Sequence, residues 1–365
     1  MNLSVNNIPP ITRFSTEIGK TARRLNQLAI RDLKSEKIEY TFPKATAEDL
    51  KRLTSKKIED TYKRVTWTNP KDSKVYHILE EGRSKEGVNV RILSSEGEFI
   101  KNATLKPKTI VVFDQFKNIS GLRSMLKLQF RKYASHGEIV ETFLKRANPF
   151  ANIERLNHKK NLYELIKYRG NLPQSLVDKR FTELNKSMEK GHKVDYVSMT
   201  EARACDIGEL SNQSGNVQKK AIQEELLNKE FNPITKTIKS ILKKGCRFFA
   251  TASNEDNPKQ SVNVFLAIDG VEGVGSLARN GKIAADSASR NSIFTQHYEQ
   301  HSFKGHLVEE NGKVLGINIT GQPGAELPYK KKYEYLLRGI GGTSYSTPTR
   351  VGKISLNDMM EGILP

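Results

Sequence analysis

Beyond residue 150 the chain alternates short apolar runs with helical stretches, and this interleaving limits the folds open to it more than any other feature. Phe248 to Ala252, Val262 to Ile268, His306 to Glu309, Val314 to Ile319 and Tyr333 to Leu337 each have the length and apolar content of a strand. Glu310-Asn311-Gly312 marks a hairpin turn between two of them, since Asn-Gly tolerates the positive φ angles a tight turn needs. The pattern predicts a mixed α+β domain over residues 151–365.

The N-terminal part has its own pattern. Runs at Val75 to Leu79, Val88 to Leu93 and Ile110 to Phe113, parted by Gly, Asn, Lys and Ser, predict a small antiparallel sheet. Two basic amphipathic helices precede it. One opens at Thr16-Glu17 and carries Leu25, Leu28, Ile30 and Leu33; the other starts at Thr46 with Asp49 and aligns Leu50, Leu53 and Ile58. Helical stretches also run from Leu122 to Tyr133 and up to Arg146. Residues 15–150 are therefore expected to form a basic α+β module, bounded by Asn148-Pro149-Phe150, behind a disordered leader over residues 1–14.

Composition narrows the partners. The 365 residues hold 60 Lys plus Arg against 41 Asp plus Glu, a net charge of +19 that attracts phosphates, anionic lipid or an acidic partner. No apolar run approaches the roughly 20 residues of a membrane-spanning helix. The first residues lack the basic and apolar regions of a Sec signal peptide, and the Ser-, Asn- and Pro-containing leader resembles that of a type III secreted effector. Two cysteines, Cys205 and Cys246, supply neither a disulfide framework nor the spacing of a metal site, so no metal is expected.

Three segments carry the candidate chemistry. Lys167-Tyr168-Arg169-Gly170-Asn171 puts a forked donor beside a turn, suited to a pyrophosphate. Asp195-Tyr196-Val197-Ser198-Met199-Thr200 puts two hydroxyls on one side of an extended segment. Lys332-Tyr333-Glu334-Tyr335-Leu336-Leu337 sets a lone acid in an apolar strand ahead of the glycine-rich turn Gly339-Ile340-Gly341-Gly342-Thr343-Ser344-Tyr345-Ser346.

In this order the three segments resemble the arginine, serine and glutamate signature of mono-ADP-ribosyltransferases of the cholera and pertussis toxin type. The resemblance covers about residues 160–352 and implies a split β-sheet core that binds NAD as substrate. It implies that Arg169, with Tyr168, contacts the dinucleotide, that Ser198 and Thr200 organise the site, and that Glu334 stabilises the oxocarbenium-like state as nicotinamide leaves. It further implies a secreted toxin or effector, working in the host cytoplasm or at a membrane surface, that modifies a host protein acceptor and uses an activating host factor. Lys332 stands where the family often has an acid or amide, and the interval from Ser198 to Glu334 is longer than usual. A second register uses Thr251 and Ser253 with Glu299 as the acid, and Glu326 is a third choice.

Two other classes stay open. Charge alone allows a non-enzymatic binder of phosphoinositide membranes or nucleic acid, although no DNA-specific motif is present. A cysteine hydrolase would use Cys205 beside Asp206 with His192, His297 or His306. Gly270-Val271-Glu272-Gly273-Val274-Gly275 lacks the Lys-Ser/Thr of a phosphate loop and is expected to be a hairpin or bulge.

Overall fold

The computed structural model describes residues 64–116, 136–159, 164, 173–206, 213–254, 261–278, 280–284, 287, 294–300, 306–310, 313–318, 326–328 and 342–364. The two N-terminal helices, the leader, the stretch from Leu122 to Tyr133 and the strand at Tyr333 to Leu337 lie outside these residues. The chain mixes helices with both parallel and antiparallel sheet.

Four strands come first: β1 (Arg64–Thr68), β2 (Val75–Arg83), β3 (Val88–Ser94) and β4 (Phe99–Leu105). They form an antiparallel meander in chain order. Val88, Val90 and Ile92 alternate along β3 and bury one face, as the period of two requires.

The run from Ile110 to Phe113 does not join that sheet. It forms β5 (Thr109–Asp114), which pairs in parallel with β6 (Asn152–Asn157) and β7 (Tyr196–Met199). The physical reason is its pattern: a continuous apolar run is buried on both faces, which suits a central parallel strand and not a half-solvated hairpin. After β8 (Ala204–Asp206), the sheet continues through β9 (Arg247–Thr251). Among the described residues β10 (Ser261–Asn263) pairs with β8 alone, and β11 (Val271–Leu277) and β12 (His297–Gln300) complete the sheet. Its order is β12-β11-β9-β7-β5-β6, and every pair in it is parallel. The sheet thus runs across the boundary expected at Asn148-Pro149-Phe150. β13 (His306–Glu310), β14 (Lys313–Asn318) and β15 (Glu326–Pro328) make a separate antiparallel sheet, with Glu310 opposite Lys313 across the expected hairpin turn.

Two helix layers cover the six-stranded sheet. α1 (His136–Ala147) links β5 to β6, and α2 (Gln174–Glu189) links β6 to β7. α3 (Gly215–Ile222), a π-helical turn at Gln223–Glu230 and α4 (Asn232–Lys243) precede β9, and α5 (Thr343–Met360) closes the chain. Val111, Phe113, Val197 and Phe248 point to one face, against Val177 and Phe181 of α2 and Ile234, Ile238 and Ile241 of α4. Ile110, Val112, Tyr196 and Phe249 point to the other, against Val140 and Leu144 of α1 and Val351 and Ile354 of α5. Each large side chain removed from water contributes about 2 kcal/mol, so this alternation fixes the register on both sides.

α1 and α5 approach so closely that a Cβ at Gly352 would lie 2.6 Å from the Cβ of Ala147 and 3.0 Å from the carbonyl of Leu144. The far end of α5 is held by the antiparallel meander. Leu356, Met359 and Met360 pack with Val65, Trp67 and Ile78, and the Trp67 indole donates to Asn357 at 2.7 Å.

Three further expectations are corrected. Gly270 to Gly275 enter a central strand, β11, where a Cβ at Gly273 would lie 1.9 Å from the carbonyl of Phe294. Val262 to Ile268 is a strand only to Asn263, after which Asn263 caps a 3-10 turn at Val264–Ala267 by accepting from the Phe265 amide. The supposed glycine-rich turn becomes a helix from Thr343 onward.

Candidate active site

The chain runs from β5 to β6 on one side, then returns across β5 to place β7 on the other. In an open parallel sheet such a reversal leaves a crevice at the carboxyl ends of the two strands, the usual place for a ligand. Asp114 is the last residue of β5, and Thr200 directly follows β7.

Asp114 is only 2% exposed, and its carboxylate is met by several donors. His136, the first residue of α1, gives Nδ1 at 2.9 and 2.8 Å to the two oxygens, Thr200 Oγ1 donates to Oδ2, and the Gln115 amide donates to Oδ1 at 2.5 Å. The start of α1 is pinned here, because the Gly137 amide donates to the Gln115 carbonyl at 2.9 Å. With Nδ1 bonded to a carboxylate, that nitrogen carries the proton and Nε2 is left as the acceptor of a 42%-exposed ring. Burial works against charge on this imidazole, but the hydrogen bond and charge of Asp114, with the charge of Glu201, outweigh it and raise the His136 pKa. His158 also lies beside Asp114, donating its amide to the Asp114 carbonyl, yet burial pushes its ring pKa down to about 4 and keeps it neutral.

α5 brings its N-terminus to the same edge. Thr343 Oγ1 accepts from Thr251 Oγ1, at the end of β9, at 2.5 Å. Ser344 follows, half-buried in the first turn, where amides lack intrahelical acceptors and the helix dipole is positive. Its hydroxyl donates to the Thr200 carbonyl at 3.5 Å, and its neighbour Tyr345 lies ring to ring with His136 at 5.4 Å. Among the described residues Ser344 makes no hydrogen bond to His136, and its amide has no acceptor.

Asn254 completes the edge. Its Oδ1 accepts from the Thr343 amide at 2.8 Å and the Thr343 hydroxyl at 3.0 Å, so Nδ2 is the end left to donate. The backbone just before it is strained: Ser253 has φ of 89° without being glycine. Gly342 has φ of 121°, and a Cβ there would lie 2.9 Å from Asn254 Nδ2, so glycine is needed for both conformation and space. A histidine polarised by a buried acid, a hydroxyl at a helix start and two donors without an acceptor among the described residues together provide the parts of an acyl-transfer site.

Of the residues expected from sequence, Thr200 belongs to this edge and Thr251 and Ser253 border it. Ser198 does not: it is fully buried within β7, and among the described residues its hydroxyl has no hydrogen-bond partner. Glu299 is bound by Lys353 of α5 at 2.9 and 2.6 Å. Glu326 opens β15. Tyr168, Arg169 and Glu334 lie outside the described residues. Cys205 sits on β8, and Cys246 is buried with its thiol pKa pushed up to about 12 by burial, which denies a thiolate. His192 pairs with Glu154 at 2.9 Å and His297 with Glu272 at 2.7 Å.

Asp114, His136, Asn254 and Ser344 were not singled out as catalytic in the sequence. Their signals were an acid one step beyond an apolar run, a His-Gly pair opening an amphipathic helix, and Gly-Thr-Ser ahead of the last helix.

No family model matches the sequence, and no curated protein does. Solved structures of similar shape include the self-cleaved protease domain of PatA, at 14% identity over 68% of this chain and 78% of that one, with a TM-score of 0.41. The prenylagaramide maturation protease PagA gives 14% identity over 70% and 77%, with a TM-score of 0.39. A mutant of the epidermin leader peptide processing serine protease EpiP from Staphylococcus aureus gives 13% over 68% and 65%, with a TM-score of 0.37.

The ADP-ribosyltransferase reading is overturned by the topology. The core is a parallel sheet and not a split one, Ser198 is sealed inside it, Thr200 serves an aspartate from β5, and the glycine-rich segment starts a helix. NAD as substrate and the role of an ADP-ribosylating toxin rested on that reading and go with it; the type III resemblance rests on the leader, which lies outside the described residues. Among the described residues, nothing at the sheet edge supports the non-enzymatic binder.

Proposed function

We propose that this protein is a serine peptidase, forming and hydrolysing an acyl-enzyme on Ser344. The observation that carries the reading is the Asp114–His136 pair at the topological reversal, beside the helix start that presents Ser344. The chain order Asp114, His136, Ser344 is also the order in which subtilisin-type peptidases supply these groups.

His136 Nε2 takes the Ser344 proton as the hydroxyl attacks the scissile carbonyl, and later returns it to the leaving amine. Asp114 holds the ring in the tautomer this needs and stabilises the imidazolium that forms. The raised His136 pKa has that cause. The oxyanion is received by the Ser344 amide and Asn254 Nδ2. Water, activated by the same imidazole, then releases the acyl group. Binding requires the Ser344 hydroxyl to leave the Thr200 carbonyl for His136, a tightening common when substrate fills such a site.

Labelling with a fluorophosphonate, read by intact mass, tests this directly. One adduct on Ser344, lost in Ser344→Ala and slowed in His136→Ala, is expected together with peptide cleavage. A folded protein that takes no label and cleaves no peptide sinks the reading.

A further inference from the structure

Beside the nucleophile stands an acid that the reaction leaves unused. Glu201 follows Thr200, whose carbonyl receives the Ser344 hydroxyl and whose side chain holds Asp114, so its backbone is one residue from the reacting groups. The Glu201 side chain keeps 25% of its surface exposed, and its ion pair with Arg203 Nη1 spans 3.6 Å, too far for a hydrogen bond. Among the described residues the Glu201 carboxylate accepts no hydrogen bond.

The surroundings make that carboxylate receptive to a cation. Burial and the charge of Asp114 both disfavour its ionised form, while Arg203, His136 and Lys159 favour it only in part, and its pKa stays raised. A half-desolvated acid lacking hydrogen bonds gains from any cation that reaches it, and a substrate side chain can bring one.

We propose that Glu201 is a specificity-determining residue that selects peptides carrying Lys or Arg next to the scissile bond. The proposal rests on the serine-peptidase reading and names its substrate class. An acid at the wall of a peptide-binding cleft distinguishes substrates by pairing with one charged side chain, and the gain appears in kcat/KM.

The test uses the full chain and quenched peptides that differ only in having Lys, Arg, Ala, Gln or Glu on either side of one cleavable bond, after Ser344 labelling has been scored. Wild type is expected to prefer Lys or Arg over Ala by about tenfold or more in kcat/KM. Glu201→Gln should bring the ratio close to one while labelling persists, and Glu201→Lys should turn the preference towards Glu. Labelling and cleavage by wild type with no basic preference, or a preference that survives in labelled Glu201→Gln, overturns the proposal and leaves the peptidase reading standing. Absence of labelling overturns both. The wild-type ratio needs no variant, so a misfolded substitution cannot hide the answer.

Discussion

Thr200 donates its hydroxyl to Oδ2 of Asp114, joining the end of β7 to the end of β5 across the reversal in strand order. The bond fixes the carboxylate that in turn fixes His136. Thr200→Val keeps the shape and removes the donor, so kcat should fall by about tenfold with KM little changed. Steady-state kinetics beside a thermal melt would check it; an unaltered kcat would mean that His136 and the Gln115 amide hold Asp114 unaided.

Asn254 should matter only once charge develops on the substrate oxygen. Asn254→Ala is expected to lower kcat by about 10²–10³-fold while leaving KM within a few-fold. Because Asn254 Oδ1 also accepts from Thr343, a melt must accompany the kinetics. Equal losses in affinity and turnover would point to a displaced α5 instead of a missing oxyanion donor.

The pH profile follows from the His136 pKa. The imidazole must be neutral to accept the Ser344 proton, so kcat/KM should rise with pH through a value above about 6.5. Asp114→Asn removes the partner that raises it, so the acid limb should move down while the rate drops by about 10³–10⁴-fold. The sign for stability is the opposite: a raised pKa favours the fold at low pH, and that share is lost as pH climbs through it. A wild-type acid limb at or below about 6.5 contradicts the assignment.

Away from the site, Glu272 joins β11 to β9 and β12. It takes two hydrogen bonds from Arg247, both at 2.8 Å, and one from His297 Nε2 at 2.7 Å. Burial opposes its charge, but His297 and Arg247 prevail and hold its pKa down to about 2. A depressed acid stabilises the fold above its unfolded pKa and loses that contribution as pH falls towards the folded one. Glu272→Gln should therefore cost about 1–3 kcal/mol near neutrality, with the gap to wild type narrowing from about pH 4.5 downwards. Urea titrations at several pH values measure it.

The strands at Phe248 to Ala252 and Tyr196 to Met199, and a helix ending near Arg146, could be read from local pattern. Parallel pairing could not, because it joins segments far apart in the chain and leaves no turn between them as a mark. Thr200 stands out in the sequence as one of two hydroxyls on one side of an extended segment, but its partner Asp114 is 86 residues away. With that partner unseen, the sequence groups Thr200 with Ser198 and not with Asp114. Ser344 was read as part of a turn because Gly341 and Gly342 precede it, although a positive-φ glycine also serves to admit a helix start. A single histidine such as His136 has no periodicity to betray it; only the fold sets it against an acid.

The contact at Gly352 bears on how such an enzyme can change. His136 and Ser344 begin two different helices, and the spacing between them is inherited from a place about 12 Å further along α5, where one backbone rests on a methyl group and a carbonyl of the other. In the serine-peptidase reading, alignment of base and nucleophile is thus encoded by missing atoms, between two helices and away from the sheet edge. A search for activity-altering variants that ranks residues by nearness to the reacting bond would pass over it, while one added methyl there would wedge the helices apart and leave every catalytic group in place on its own helix.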